Sequence, residues 1–265
     1  MIESLHSPHV ARVKALIGSR GVKERRQSGF FVAEGLQAAR EALSSNGAPF
    51  IKHLYVTKSG LLKLSEFDLS TIDVVEVTDA VMEEMTSTVT PQGILAVCVL
   101  PRPELSEISA LNSKNALRIV YLHEIQDPGN AGTILRTADA MGVDAVVTSP
   151  DSVDMYSPKV VRATAGSLWH VPLFESVPFA DLSQVLPSAT PLLMSAHATK
   201  SITDLSLDSS YISIFGNEAR GVDSTALGSE KIIEVNIPMA GRAESLNLSA
   251  AASIVIFTLS PKVAG

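Results

Sequence analysis

Hydrophobic positions in the first hundred residues alternate between helical and strand-like spacing. Helical spacing covers residues 8–18 and 35–43, whereas short apolar runs typical of strands cover 29–33, 51–56, 73–77 and 94–99. Strand runs mixed with helical segments indicate a small α/β domain. We therefore predict one such domain over residues 1–100.

The stretch over residues 101–115 reads PRPELSEISALNSKN and has no sustained apolar period. Its prolines, serines and asparagines favour turns over regular structure, which predicts a linker. A second domain then covers residues 116–265.

Strand-like and helical patterns alternate through this second domain. The strand runs cover residues 117–122, 145–149, 171–175, 192–196, 211–215 and 232–237, and the helical segments cover 130–141, 157–168, 179–186 and 247–259. This alternation predicts a mostly parallel sheet with helices on both faces. Ligands in such sheets bind at the carboxyl ends of the strands.

Composition excludes several classes of protein. With 46% apolar and 18% charged residues among 265, the chain is folded rather than disordered. A single cysteine, Cys98, excludes a disulfide framework and a cysteine-based zinc cluster, and we expect it to be buried. The six histidines have no metal-binding spacing, so no metal is expected. Neither a signal peptide nor an apolar run of ~20 residues is present, which predicts a cytoplasmic protein without a membrane segment.

Charge is distributed unevenly along the chain. The net charge is −7, yet residues 1–40 carry +4 and residues 41–265 carry −11. A basic leading segment on an acidic body is typical of a local contact with a polyanion, and a solvated helix face gives the same count. Both interpretations stay open at this point.

A loop and helix follow the first strand of the second domain, with the sequence HEIQDPGNAG continuing into TILRTADAMG. Asn130 is a candidate N-cap, and Gly142 suits the left-handed position that ends a helix. Arg136 lies off the apolar stripe, so it either reaches a ligand or is a surface arginine. The glycines lack the G-x-G-x-x-G spacing of dinucleotide-binding domains, which disfavours an ordinary Rossmann enzyme acting on a small metabolite.

Two later loops also follow predicted strands. In IFGNEARGVD, residues 214–223, a strand ends at Gly216, where glycine permits close approach of the backbone to a ligand. In IPMAGRAESLN, residues 237–247, Ser245 and Asn247 are both candidate N-caps of the last helix. Taken singly, each loop is an ordinary strand-to-helix connection.

Taken together and in order, these segments resemble a known family. The patterns N-x5-R at 130–136, G-N-E-x2-G at 216–221 and I-P-M-x5-S-L-N at 237–247 resemble the SpoU (TrmH) branch of the SPOUT RNA methyltransferases. The resemblance extends through residues 153–172 and covers 116–265. Residues 25–43 and 90–97 resemble the substrate-binding domain that many of these enzymes carry, which has a ribosomal-protein-like α/β fold.

The resemblance implies a deep trefoil-knotted parallel sheet that binds S-adenosyl-L-methionine. It further implies methyl transfer to a ribose 2′-hydroxyl in structured RNA, with ribosomal RNA favoured over transfer RNA, and a homodimer formed through the C-terminal domain. The implied cofactor contacts are Gly216, Ile237 and Leu246 through their backbone, with Asn217 and Met239 nearby. The implied catalytic set is Arg136, Asn130, Glu218, Ser245 and Asn247.

Roles within this set follow from the chemistry of each side chain. A guanidinium stays protonated in proteins, which makes Arg136 a poor base, so we expect it to orient and stabilise the developing alkoxide. Asn130 would hold the loop or the ribose, and Ser245 and Asn247 would order the cofactor loop and substrate. Glu218 would polarise its surroundings or cap neighbouring backbone.

The basic leading segment is the predicted first contact with RNA. The expected phosphate contacts are Arg12, Lys14, Lys23, Arg25 and Arg26. Arg162 is expected either against RNA phosphate or as a structural cation near a helix end. The alternative function is a non-catalytic knotted RNA-binding protein in ribosome assembly, which the intact catalytic set disfavours and which would not need the cofactor.

Overall fold

The computed structural model describes residues 1–44, 50–111, 116–207, 209–228 and 231–260. Its contacts divide the chain into two compact units. The first contains Met1–Pro101 and Asp154–His170, and the second contains Arg102–Val153 and Val171–Gly265. Residues 112–115 of the predicted linker lie outside the described residues.

The described chain contains both helices and strands in each unit. In order they are α1 (Pro8–Ile17), α2 (Gly21–Ser28), β1 (Phe30–Glu34), α3 (Leu36–Ser44), β2 (Ile51–Val56), α4 (Lys58–Leu62), β3 (Val74–Glu76), α5 (Asp79–Met85), β4 (Ile94–Val99), β5 (Arg118–Leu122), α6 (Pro128–Ala140), β6 (Ala145–Thr148), α7 (Pro158–Ala163), β7 (Leu173–Phe174), α8 (Phe179–Val185), β8 (Thr190–Met194), β9 (Tyr211–Phe215), β10 (Ile233–Val235) and α9 (Leu248–Leu259).

The first unit is built on a four-stranded sheet in the order β1-β4-β2-β3. β4 runs antiparallel to both β1 and β2, and β3 runs parallel to β2. Apolar side chains of α1 and α5 form one buried cluster with this sheet. Cys98 on β4 is fully buried, as expected, and burial raises the pKa of its thiol. This sheet and its helices have the small α/β architecture that the sequence pattern predicts.

The sequence pattern missed α2, α4 and α5. α2 is dominated by charged and polar residues and therefore shows little apolar periodicity. It ends at Gly29, whose φ of 74° is the left-handed conformation of a helix C-cap. α5 begins after Thr78, whose side chain accepts a hydrogen bond from the amide of Val81. At seven residues, α5 is too short to give a clear period.

The second unit is built on a six-stranded sheet in the order β10-β8-β9-β5-β6-β7. All of its strand pairs are parallel, which confirms the predicted sheet. β8 begins at Thr190, two residues before the predicted start, and ends at Met194 rather than Ala196. The carboxyl end of β8 therefore lies two residues earlier in the chain than predicted.

Residues 154–170 group with the first unit, although the sequence pattern assigned them to the second domain. The Phe31 and Tyr156 rings lie 4.9 Å apart, and Trp169 Nε1 donates to the carbonyl of Ala38 at 3.2 Å. These contacts join positions more than a hundred residues apart. Sequence periodicity carries no information about such contacts.

Helix termini in the second unit refine two predictions. α6 begins at Pro128, and its N-cap is Asp127, whose Oδ1 accepts from the amide of Asn130 at 2.7 Å. Asn130 is therefore inside the first turn and is not the N-cap. Gly142 has a φ of 66°, as predicted for the residue that follows the helix. Of the two candidate caps of α9, Asn247 is the N-cap.

Within the part of the chain that the structure describes, no helix is long and apolar enough to cross a membrane. The same residues contain no group of three or more histidine, cysteine, aspartate or glutamate side chains arranged to hold a metal ion.

Candidate active site

The second unit contains a cavity of about 460 Å³ at the carboxyl edge of its sheet. The ends of β8, β9 and β10 form its floor, and the loop before α9 forms one wall. Asn130 on α6 also lines it. Cavities of roughly this size in α/β sheets bind small molecules where the carboxyl ends of neighbouring strands meet.

Gly216 follows β9 at the point where the chain approaches itself. A Cβ atom at this position would lie 2.5 Å from Val222 Cγ2 and 2.6 Å from the carbonyl carbon of Gly221. The close approach that requires glycine here is therefore to the chain's own turn. This explains the residue more directly than the approach to a ligand that the sequence suggested.

Asn217 closes that turn. Its Oδ1 accepts from the amides of Ala219 and Arg220 at 3.0 and 3.1 Å, and its Nδ2 donates to the carbonyl of Glu124 at 2.9 Å. Gly221 completes the turn with a φ of 66°. Asn217 is buried, and its side chain thereby ties the loop after β9 to the loop after β5.

Glu218 holds the start of α6. Its carboxylate accepts from the amides of Gln126 and Asp127 at 3.1 and 3.0 Å and from Asn130 Nδ2 at 3.3 Å. Burial alone would raise the pKa of Glu218. The hydrogen bonds from Asp127, Gln126 and Asn130 outweigh that effect, and the pKa is held below its usual value. Glu218 is therefore an anionic acceptor that fixes a loop.

Asn130 continues this connection to the last helix. Its Oδ1 accepts from Asn247 Nδ2 at 3.1 Å, while its own Nδ2 donates to Glu218. Asn247 Oδ1 accepts from the amides of Ser249 and Ala250 at 2.9 and 3.3 Å, which caps α9. One hydrogen-bonded chain thus runs from Glu218 through Asn130 to Asn247 and connects the three loops singled out in the sequence.

The structure brings most of the predicted site residues to this one cavity. Those that line it are Asn130, Gly216, Asn217, Glu218, Ile237, Met239, Ser245, Leu246 and Asn247. Arg136 does not line it. Arg136 is exposed on α6, and no hydrogen bond or ion pair of its side chain occurs within the described residues.

Sequence reasoning missed the side of the cavity that β8 provides. Met194, Ser195 and Ala196 line the cavity next to Phe215 and Val235 of the neighbouring strands. Strand order could not be read from the sequence, so nothing indicated that β8 lies between β9 and β10. The rule that ligands meet strand ends would have identified this segment if its end had been placed at Met194.

Backbone groups remain available in this cavity. Among the residues that the structure describes, the backbone amides and carbonyls of Gly216, Ile237 and Leu246 have no hydrogen-bond partner. Free amides and carbonyls beside apolar side chains such as Phe215 and Val235 suit a ligand with a flat heterocycle and hydrogen-bonding edges. The residues present therefore fit an adenosine group.

The predicted RNA contacts lie on α1 and α2 of the first unit. Arg12, Lys14, Lys23 and Arg26 are exposed there, and Lys14 forms an ion pair with Glu84. Arg25 differs from these, since its side chain is only 4% exposed and its Nε donates to Asp154 at 2.8 Å. A guanidinium buried in an ion pair is not available to RNA phosphate, so Arg25 is a structural cation.

Arg162 lies at the end of α7 in the first unit. Its Nη1 donates to the carboxylate of Glu34 at 3.3 Å and also bonds to the hydroxyl of Ser87. About a third of its side chain is exposed, at 33%. Arg162 is therefore partly structural and still accessible.

Comparison with known proteins identifies the family. The SpoU rRNA Methylase family matches residues 117–257, and the MRM3-like substrate binding domain matches residues 8–96. The chain belongs to the SpoU rRNA methylase family. As a member, it is an S-adenosylmethionine-dependent RNA methyltransferase, as the sequence resemblance predicted.

Relatives of this SpoU methylase match it along most of its length. The chain is 31% identical to the 23S rRNA (guanosine(2553)-2′-O)-methyltransferase RlmP of Bacillus subtilis, over 89% of this chain and 91% of the relative. It is 27% identical to a 23S rRNA (uridine(2479)-2′-O)-methyltransferase of Streptomyces viridochromogenes, over 92% and 86% of the two chains.

A solved structure supports both the fold and the cofactor. The AdoMet-bound rRNA methyltransferase from Sinorhizobium meliloti matches with a TM-score of 0.83 at 27% identity, covering 97% of this chain and 95% of that one. The predicted α/β architecture with an N-terminal domain is confirmed by this match.

Proposed function

We propose that this protein transfers the methyl group of S-adenosylmethionine to a ribose 2′-hydroxyl of ribosomal RNA in the cytoplasm. The observation that carries the proposal is the cavity of the second unit, where the three motif-bearing loops meet around unpartnered backbone groups. Ribosomal RNA is favoured because two relatives that match along most of their length are named as 23S rRNA 2′-O-methyltransferases.

In this proposal, the adenosine part of the cofactor lies against the backbone of Gly216, Ile237 and Leu246. Met239 and Asn217 lie at the edge of the same cavity. The free amides and carbonyls of the three backbone positions would read the hydrogen-bonding edge of the base. Since Asn217 is committed to its turn, its contribution is the position of Gly216 and not a direct side-chain contact.

When bound, the cofactor supplies an electrophilic methyl group on a sulfonium. The ribose 2′-hydroxyl would accept that methyl group on its oxygen and give its proton to solvent water. A guanidinium donates hydrogen bonds but does not accept protons, so the role we propose for Arg136, from its exposed position on α6 outside the cavity lining, is to orient the 2′-oxygen and stabilise negative charge on it. Oriented donors of this kind act chiefly on the transition state.

The remaining polar residues divide into two roles. Glu218, Asn130 and Asn247 are occupied by one another and by backbone, which makes them positioning residues for the three loops. Ser245 lines the cavity, is exposed, and forms no hydrogen bond within the described part of the chain. Its hydroxyl is available to cofactor or substrate.

We also propose a homodimer that forms through the second unit, and a trefoil knot at the loops that bound the cavity. α9 exposes Ile254 by 40% and Phe257 by 70%, and such apolar exposure is typical of a protein interface. α6, which carries Arg136, packs against α9. A partner on this face would therefore lie beside Arg136.

The first unit would bind RNA through the exposed cations of α1 and α2. Phosphate contacts of this kind position the substrate without reading its sequence. The match to the MRM3-like substrate binding domain over residues 8–96 supports this assignment.

Methyl transfer is tested with purified protein, labelled S-adenosylmethionine and unmodified transcripts of 23S rRNA, 16S rRNA and transfer RNA. We expect incorporation into 23S rRNA, at a 2′-oxygen that resists alkaline cleavage. Incorporation of the label into transfer RNA alone would show that the substrate is transfer RNA and not ribosomal RNA. Cofactor binding without transfer to any RNA would contradict the enzymatic function.

The proposed interface is tested by analytical ultracentrifugation of the wild type and of Phe257→Glu. We expect the wild type to sediment as a dimer and the variant as a monomer.

A further inference from the structure

The first unit contains a second cavity, of about 260 Å³, that the methyl-transfer reaction does not use. It lies where β1 ends and α3 begins, under the loop 87–92 and beside the end of α7. All of its lining residues belong to the first unit. It is smaller than a typical cofactor site, and its size suits one flat ring.

A buried carboxylate organises this cavity. Glu34 has a side chain that is 4% exposed, and its Oε2 accepts from the amide and hydroxyl of Ser87 at 3.2 and 3.0 Å. Its Oε1 accepts from the hydroxyl of Thr88, and Arg162 donates to Oε2. The acceptors of Glu34 are therefore occupied, and its charge compensates that of Arg162.

Polar groups with no partner in the protein also line the cavity. Gln92 Oε1 accepts from the amide of Leu36 at 2.7 Å, which leaves the Nε2 donors unused. Among the described residues, neither Gln92 Nε2 nor the hydroxyl of Thr90 has a hydrogen-bond partner. Arg162 contacts Glu34 and Ser87 through Nη1. Because 33% of its side chain is exposed, part of the guanidinium is accessible to a ligand.

The backbone fixes the position of the Gln92 amide. Gly35 has a φ of 97°, and a Cβ there would lie 3.2 Å from Gln92 Oε1. Glycine therefore both permits the left-handed turn and leaves room for the amide. Val89, at the outer part of the same loop, is fully exposed. The loop therefore presents the unused donors of Gln92 and Thr90 at the rim of the cavity, where a ligand can reach them.

We propose that this cavity holds one unpaired base of the RNA substrate and prefers a base with a ring carbonyl (guanine, uracil or cytosine) over adenine. Proteins recognise single-stranded RNA by taking up splayed bases, stacking them on aromatic rings or arginine planes, and hydrogen-bonding their edges. Arg162 supplies the plane, and Gln92 and Thr90 supply donors for a carbonyl oxygen. A neutral base fits better than a phosphate because Glu34 already balances the charge of Arg162.

The inference rests on the proposed RNA substrate and extends it to a base-binding site outside the methyl-transfer cavity. It is tested first by photo-cross-linking wild-type protein to 23S rRNA transcripts that contain 6-thioguanosine or 4-thiouridine. We expect cross-linked peptides from the loop 87–92 or from residues 161–165. Cross-links confined to other parts of the protein would overturn the proposal.

Two variants test the donors without disturbing the fold. Gln92→Glu keeps the oxygen that accepts from Leu36 but removes the free donors, and Thr90→Val removes a hydroxyl at equal volume. Gln184→Glu on α8 of the second unit is the control for added negative charge. We expect each cavity variant to bind the 23S transcript about tenfold more weakly with unchanged cofactor affinity, and Thr90→Val, which changes no charge, to keep the wild-type salt slope. The control should bind like wild type.

The salt slope separates a base from a phosphate. Loss of a phosphate contact lowers the slope of log affinity against log salt by about one, whereas loss of a base contact leaves it unchanged. A lowered slope in Thr90→Val, or wild-type affinity in both cavity variants, would overturn the proposal. A wild-type protein that cross-links here without methylating 23S rRNA would refute the proposed function alone. A wild-type protein that methylates 23S rRNA, combined with wild-type RNA affinity in both cavity variants, would refute the inference alone.

Discussion

The two units use their polar side chains in different ways. In the first unit, charged side chains attach the distant segment 154–170 to N-terminal elements, as Arg25 of α2 does with Asp154 and Glu34 of β1 with Arg162. In the second unit, Glu218, Asn130 and Asn247 bond to one another and to loop amides, which leaves backbone groups free in the cavity. Ion pairs thus help to attach residues 154–170 within the first unit, while hydrogen bonds shape the site of the second.

The comparison is tested most strongly at Arg25. We expect Arg25→Ala to lower the free energy of unfolding of the first unit by about 3–5 kcal/mol, because Asp154 loses its partner in a buried position. The measurement is a urea titration followed by the fluorescence of Trp169, the single tryptophan of the chain, which belongs to this unit.

Lys23 on the same helix is the matched control, since it is exposed and forms no ion pair within the described residues. Lys23→Ala should leave the unfolding curve unchanged and lower the salt slope of RNA binding by about 0.7–0.9. An Arg25→Ala protein as stable as wild type would show that the ion pair does not hold the segment 154–170.

Arg136 tests whether chemistry in the second unit can be separated from cofactor binding. Arg136→Ala should lower single-turnover methyl transfer by about 10² or more while cofactor affinity stays unchanged, as expected for the loss of one oriented donor. Rapid-quench assays and titration calorimetry measure the two quantities. Equal turnover in the variant and wild type would remove Arg136 from the mechanism, and a parallel loss of cofactor affinity would place it in the binding site.

Gly216 tests whether backbone shape controls the cavity. In Gly216→Ala the new methyl group meets the carbonyl carbon of Gly221 at 2.6 Å, so the turn must move. We expect cofactor affinity to fall about tenfold, with a modest loss of stability. Gly241→Ala, whose Cβ would meet no atom within 4 Å, is the control and should bind normally. Unchanged affinity in Gly216→Ala would mean that this turn does not shape the cofactor site.

The smallest effect concerns Glu218 and pH. Because its folded-state pKa lies below the ordinary value of 4.5, its stabilising contribution is present above that pH and is lost as pH falls through the folded-state pKa. Thermal unfolding monitored by circular dichroism should therefore show a steeper loss of stability in acid for wild type than for Glu218→Gln. An equal loss of thermal stability at low pH in the two proteins would contradict this hydrogen-bonding role.

The sequence by itself determined the secondary structure wherever apolar positions repeat, because burial imposes that spacing on each strand and helix. β2, β4 and β9 lie where the pattern predicts them, and the motif order indicated the family before any geometry was known. The hydrophobic pattern did not predict the polar helix α2, because a solvent-exposed helix lacks an apolar period.

Tertiary structure alone decided which segments meet. It buried Arg25 against Asp154, placed β8 between β9 and β10, and turned Glu218 toward the amides of the loop before α6. These outcomes depend on contacts between residues that are far apart in the chain. Such contacts form only once the folded sheet has brought those residues together. Local periodicity reports which face of an element is buried, but it does not specify the partner that covers that face.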